Sequence, residues 1–460
     1  MTDSAVAAER REELAGRFGG VLVGPEDSTY EELRRIHNGL IDKRPALLAS
    51  CRGTADVAEA VRFAVDEGIE LAVRGGGHNV SGRAVCDGGL VIDLSLMRGV
   101  DVDPTGRTAR VQGGALWADV NRETAVHGLA VTGGAVSTTG VGGYTLGGGL
   151  GWLMGIHGLA ADNLVEAEVV LASGEVVRAR ADEHEDLFWA LRGGGGNFGV
   201  VTSFVFRLHP LAEIVGGLVA HPFEAARDML RFYGEFSAGA PDELTIFAGL
   251  VHAPDGSGMP LAALVLCHAG PRERAEREVQ PLLEWGTPAM VEVGPMPYPA
   301  VNMMLDDGFP PGSLNYWKST FVRGMSDQLI DTMVEHFASC PSPMGNIILE
   351  HFHGAVCRVG PEETAVPHRS PGYNLLIPSV WLDPATTDAN IAWTRETYAA
   401  LEPERAEGRW LNYYGDDEDP SELDAAYGPN RARLADVKRR YDPDNVFHLN
   451  QNIAPSVVPA

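Results

Sequence analysis

The sequence predicts an α+β protein of two domains, and three observations carry that prediction. The chain has 460 residues, more than one ordinary core serves, and 45% of it is hydrophobic, enough to bury two. Its texture changes near Pro210: before it, short β-branched runs alternate with helical stretches and glycine clusters, and after it glycine thins out. There, long apolar strands alternate with amphipathic helices, the pattern of an antiparallel sheet with helices on one face.

The elements follow in order. The opening MTDSAVAAERREELAGRF is charged where a secretory leader is apolar. No later run approaches the ~20 apolar residues of a membrane span, so a cytoplasmic protein is expected. ADVAEAVRFAVDEG (55–68) has helical spacing and ends on glycine. LAVR (71–74), LVIDLS (90–95) and ARVQG (109–113) read as strands, and ALWADVNRETAVHG (115–128) as a helix. EDLFWALR (185–192) is helical and VVTSFVFRL (200–208) extended. In the second half ELTIFAGLV (243–251), LAALVLC (261–267), GNIILEHFHG (345–354) and NLLIPSVWL (374–382) read as strands. FEAARDMLRFYGEF (223–236) and RERAEREVQPLLEW (272–285) read as helices, and so does RARLADVKRRYD (431–442), which leads into the polar tail PDNVFHLNQNIAP.

Charge and cysteine narrow the function. Lys+Arg 36 against Asp+Glu 63 gives a net charge of −27, whose field repels phosphate backbones and anionic lipid, so neither nucleic acid nor membrane is an expected partner. The 5 cysteines are scattered without a CxxC pair and read as reduced thiols, with no disulfide frame and no metal site.

The glycine clusters carry the chemistry. RGGGHNVSG (74–82), GGAVSTTGVGGYTLGGGLG (133–151) and RGGGGNFGVV (192–201) each bare their backbone N–H groups, so together they suit a large, anionic, partly planar ligand. Gly194 to Gly199 spell GxGxxG, but this motif follows a helix and opens a strand, the reverse of the dinucleotide fingerprint.

In order, AVRGGGHNVSGRAVCDGGLVIDL, TTGVGGYTLGGGLGWLMGIHGLAADNLVEAEVV, DLFWALRGGGGNFGVVTSFVF, WLNYYGD and YDPDNVFHLNQNI resemble the vanillyl-alcohol-oxidase/p-cresol-methylhydroxylase class of FAD enzymes, in its berberine-bridge-enzyme-like branch. The resemblance implies a FAD-binding domain of the p-cresol-methylhydroxylase type, built from 1–210 and 406–460, with an antiparallel-sheet substrate domain, 211–405, inserted between them. It implies FAD linked covalently through its 8α position to His78. Relatives with a second link carry a cysteine where this chain has Val136, so a single link is expected, and Cys86 is given a structural role.

The same likeness assigns Arg74, Gly75, Gly76, Gly77, Asn79, Ser81 and Gly82 to the cofactor, with Arg74 read either as a positive partner or as a strand-end anchor. From the second loop it adds Thr138, Thr139, Gly140, Gly142 and Gly143, and further on Val200, Val201, Asn450 and Asn452. Asp162, with Asn163, reads equally as a cofactor neighbour or as a turn and cap residue. Thr139, Tyr144 and Trp152 belong to the flavin-side loops.

For catalysis the likeness points to Tyr413 in WLNYYGD, where Trp410 stands at a position that relatives fill with tyrosine, and Tyr414 is an additional candidate. Period two on NIILEHFH puts Ile348, Glu350 and Phe352 on one face and His351 with His353 on the other; in relatives the face holding Glu350 looks toward the flavin, so the resemblance makes Glu350 the second acid/base candidate. A His351/His353 metal pair lacks a third ligand. As a base near neutrality Tyr413 needs a lowered pKa, and Lys318 is the cation offered for it. Trp317, Phe352 and Tyr413 lean toward a ring-containing substrate. The expected reaction moves two electrons from a small alcohol, sugar, amine or polyketide-like molecule to flavin and then to dioxygen. Its alternatives are a dehydrogenase with another acceptor and a flavin-bearing binding protein without turnover; the oligomeric state stays open.

Overall fold

The computed structural model describes residues 8–457 except 212, 254, 418 and 419; the first part of the opening segment lies outside them. The protein is a two-domain α+β fold.

Two sheets come from the first half. In the four-stranded one, Val21–Val23, Leu47–Ser50, Leu90–Asp93 and Leu71–Arg74 lie side by side, the last three in parallel. The helix Thr54–Glu67 carries the chain from Leu47–Ser50 over to Leu71–Arg74, the two parallel strands that flank Leu90–Asp93, and ends on Gly68 at φ +62°. Leu47, Ala49, Leu90 and Ile92 pack against Val57, Val61 and Ala64 of that helix. The five-stranded sheet is antiparallel, in the order Val100–Asp103, Thr108–Gln112, Val200–Arg207, Leu164–Val170, Val176–Arg180. The helix Arg431–Tyr441 returns the chain to this half, burying Leu434 and Val437 beside Phe198 and Leu187.

Between these parts, residues 214–381 contribute a seven-stranded antiparallel sheet in the order Met290–Met296, Ile214–Pro222, Pro260–His268, Leu244–His252, Ile347–Phe352, Gly372–Trp381, Leu314–Val322. Its central strands are covered on both faces, which is why they read as almost unbroken apolar runs. One face, with Leu244, Ile246, Ala248, Leu349, Leu375 and Ile377, packs on the helices Ala226–Ser237, Arg272–Glu284, Asp327–Phe337 and Thr387–Ala400. Alternation then turns Phe247, Ile348, Glu350 and Leu376 to the opposite face, toward the glycine loops. Among the described residues no helix is long and apolar enough to cross a membrane.

Candidate active site

Between the glycine loops and the free face of the seven-stranded sheet lies a cavity of about 1720 Å³, part of it open to solvent.

One wall is backbone. Gly75, Gly76, Gly77, His78, Asn79 and Ser81 line it from the loop after Leu71–Arg74, and Thr139, Gly140, Gly142 and Gly143 from the next glycine loop. These loops touch main chain to main chain: a Cβ on Gly76 would sit 2.5 Å from Gly140 Cα, and one on Gly140 2.4 Å from Gly76 N. No other residue type permits that approach. At Gly143 a Cβ would meet nothing within 4 Å. Gly195, Gly196 and Gly199, then Val200 and Val201, continue the wall. Asn450 reaches it from the tail and donates to Gly196 O at 2.8 Å.

Polar side chains staple this wall. Asn197 Nδ2 donates to Gly194 O at 2.8 Å and to Gln451 O at 3.1 Å, while its Oδ1 accepts from Ile453 N at 3.1 Å. Asn79 Nδ2 donates to Asn412 O at 2.9 Å, and Asn412 Nδ2 to Tyr144 O at 3.1 Å. Asp306, from the inserted part, accepts from Ser137 N at 2.7 Å and from its hydroxyl at 2.5 Å.

His78 stacks on His37 with ring centroids 3.9 Å apart, and its Nε2 is buried without a hydrogen-bond partner. Burial, and then the neighbouring His37, lower its pKa to about 3, so the ring is neutral. Val136 lies on the same cavity wall. Cys86 does not line it, and burial pushes its thiol up to about 12.

The facing wall is side chain. Glu350 holds the centre, accepting from Asn374 Nδ2 at 2.6 Å and from the Tyr413 hydroxyl at 2.9 Å. Burial raises its pKa to about 7 against the lowering pull of those two donors. It therefore exchanges a proton near neutrality.

Several assignments from sequence are corrected here. Arg74 is the strand-end anchor: its guanidinium grips buried Asp93 at 2.8 Å beneath the loop and does not line the cavity. Burial alone would raise the Asp93 carboxyl, yet the Arg74 hydrogen bond and charge hold it below its ordinary value. Asp162 is engaged by Arg369 at 2.7 Å and accepts from Leu159 N, the ion-paired turn residue rather than a cavity group. Gly82 turns the loop at φ +71° against Ile41, and Thr138 and Asn452 likewise lie off the cavity wall, as Trp152 does, stacked on Phe247 at 4.4 Å. Lys318 points to the helix-covered face, 2.9 Å from Asp417, because Trp317 beside it takes the cavity face. Tyr413 thus gains no cation. Burial and the adjacent Glu350 push its phenol well above its ordinary value. Phe352 packs on Trp410 at 5.5 Å, behind the lining residues. His351 and His353 stack at 4.2 Å, and no described group of three His, Cys, Asp or Glu side chains could hold a metal.

The structure also shows lining residues that sequence reasoning left out. Arg83 is the one Arg or Lys among the described lining residues, and Gln451 lines the wall beside Asn450. Arg83 stands one residue beyond the first glycine loop, and its charge was the available signal.

Comparison with known proteins agrees with this geometry. A family model for a FAD binding domain matches residues 45–180, and one for berberine and berberine-like proteins matches 410–454. The chain is 32% identical over 453 residues to (R)-6-hydroxynicotine oxidase of Paenarthrobacter nicotinovorans, covering 95% of this chain and 97% of that protein. The structure of 6-hydroxy-D-nicotine oxidase from Arthrobacter nicotinovorans is similar with a TM-score of 0.86 at 30% identity, over 95% of this chain and 98% of that one. Glucooligosaccharide oxidase from Acremonium strictum, described with 6-S-cysteinyl, 8α-N1-histidyl FAD, shares the fold at a TM-score of 0.86 and 24% identity, over 98% and 100%.

Proposed function

The chain belongs to the berberine-bridge-like family of FAD-linked oxidoreductases, and from that premise we propose an oxidase that takes two electrons from a small alcohol or amine, with FAD joined to His78, dioxygen as acceptor and Glu350 as proton acceptor. The observation that carries the reading is the Glu350–Tyr413 pair, 2.9 Å apart on the wall facing His78 and the glycine loops.

The residues suit the cofactor. Bare backbone at Gly76, Gly140 and Gly196, open space at Gly143 and the cation of Arg83 match a flat ring and an anionic pyrophosphate. A neutral His78 keeps the lone pair that a covalent link to the flavin 8α carbon consumes. Val136 offers no sulfur for a second link. When bound, FAD supplies the acceptor for a substrate hydride and the onward route for electrons to dioxygen.

The chain's own part is the proton. Oxidising an alcohol or amine at carbon removes hydride from the C–H and a proton from the neighbouring O–H or N–H. Glu350 Oε1 takes that proton directly or through the Tyr413 hydroxyl that already donates to it. Asn374 holds the other carboxylate oxygen in place.

Acid-precipitated protein should stay yellow, with the flavin on a peptide containing His78 and none on a peptide containing Cys86. H78A should bind FAD and release it on denaturation. Steady-state turnover with oxygen as sole acceptor tests the oxidase reading. Wild-type protein that surrenders all its flavin in acid sinks the link, and reduced enzyme that oxygen leaves reduced sinks the acceptor.

A further inference from the structure

Resting on the oxidase reading above, we propose that the substrate is an apolar ring compound whose reacting carbon carries a single O–H or N–H, and not a saccharide. The sheet-side wall decides this. Phe247, Trp317, Ile348 and Leu376 face the cavity from four strands of the seven-stranded sheet, and Leu305 and Phe309 from the segment before Leu314–Val322. Trp317 meets Phe309 edge to face at 5.5 Å and Tyr413 at 5.9 Å, forming an aromatic flank of the kind that packs a ring.

The polar atoms on this wall are already engaged as donors. Trp317 Nε1 donates to Asn315 Oδ1 at 3.1 Å, and the Tyr413 hydroxyl donates its hydrogen bond to Glu350 at 2.9 Å. Glu350 accepts from Asn374 and Tyr413, which leaves lone pairs on its oxygens and on the phenol oxygen. The wall therefore offers acceptors at one point and apolar surface elsewhere.

A saccharide brings several hydroxyls, each donor and acceptor, and most of them would lose water here and find nothing to bond. Burying polar groups without partners is the costliest way to fill a pocket. A ring compound with one donor at the reacting carbon meets both demands: its skeleton covers the apolar side chains, and its O–H or N–H reaches the Glu350–Tyr413 oxygens. That placement also brings the proton to the residue that receives it.

Anaerobic calorimetric titration of the flavin-loaded protein tests this with 1-indanol, 2-phenylpyrrolidine, cellobiose and xylobiose at several temperatures. The ring alcohol or the ring amine should bind at least ~100-fold more tightly than either disaccharide, with a negative heat-capacity change as apolar surface leaves water. L376N should weaken the ring compound by roughly tenfold. F309S, on a loop, repeats that test without disturbing the sheet. The two ring probes separate O–H from N–H as the preferred donor. Equal or tighter binding of a disaccharide, or no binding of either ring compound, overturns the proposal. Without oxygen each site can reduce its flavin only once, and bleaching of the flavin band reports that step separately from binding, so this failure is distinct from failure of the oxidase reading, in which a bound ring compound leaves the flavin oxidised.

Discussion

The two walls of the cavity are made of different material. The glycine-loop wall is backbone: Gly76 and Gly140 meet at a separation that admits no added carbon, and Asn197, Asn412 and Asn450 bind main-chain carbonyls to hold it. The sheet wall is side chain: the strands pair regularly behind it, and what the cavity meets is decided one residue at a time by Phe247, Trp317, Ile348, Glu350 and Leu376. The first wall answers to shape and, where Gly76 and Gly140 meet, tolerates no extra atom. The second tolerates substitution in its scaffold but changes chemistry with each one.

The strongest way to break this contrast is at the backbone. Gly76→Ala should purify with little or no flavin and a lowered melting temperature, because its Cβ must push Gly140 away. Gly143→Ala should keep or slightly raise its melting temperature, since its Cβ meets nothing and alanine favours the helix Val141–Leu146 by ~0.5–1 kcal/mol. Full flavin content in Gly76→Ala, read from the ratio of flavin to protein absorbance, would remove the reason for calling this wall backbone.

On the sheet wall, Glu350→Gln should leave flavin content unchanged and slow anaerobic flavin reduction by ~10²- to 10⁴-fold, the usual loss for a general base. Since burial raises the Glu350 pKa to about 7, wild-type reduction should rise with pH through that value as the carboxyl gives up its proton. The glutamine variant should lose this rise. A rise that persists in Glu350→Gln assigns the titration to another group.

Tyr413→Phe should be milder. Its hydroxyl donates to the carboxylate and so lowers the Glu350 pKa; without it, the midpoint of the pH profile should move upward. A hydrogen bond of about 1.4 kcal/mol corresponds to about one pH unit and about a tenfold slower rate below the midpoint. A downward move would mean that the phenol opposes the carboxylate instead of supporting it.

The smallest effect on chemistry belongs to Asp162→Asn. It leaves Arg369 buried without its charge partner, a change that typically costs ~3–5 kcal/mol and should show in thermal melting. Flavin content and reduction rate should stay at wild-type levels. A selective loss of flavin, with stability intact, would return Asp162 to the cofactor.

What could be read from sequence divides along the same line. The glycine loops and His78 are contiguous, so the chemistry of that wall was legible in short stretches, and the strands of the inserted sheet were legible because burial on both faces writes them as apolar runs. The strand order was not, since it depends on pairings between segments as distant as Glu350 and Phe247. Nearness in sequence also misled: Arg74 and Gly82 sit at the ends of a cavity-lining loop yet point away from it, and a residue list along a loop says nothing of side-chain direction. Lys318 was misplaced although period two from Trp317 would have turned it outward. The Glu350 face was found by that same alternation, but its bond to Tyr413, 63 residues away, has no local signature. Gln451 was read only as part of the polar tail, because its neighbours Asn450 and Asn452 matched a pattern, while in the fold Gln451, and not Asn452, lines the wall.

The closing of the wall by Asn450 and Gln451 has a bearing on biosynthesis. These residues leave the ribosome after the three glycine loops and the whole inserted sheet have been made, and earlier segments of a nascent chain fold as they emerge. The vessel for the cofactor therefore stands open on one side until translation has passed residue 451. A cofactor lodged against that side is accordingly enclosed only once the segment through residue 451 has been made and has packed onto the first domain, where Ile453 joins the core.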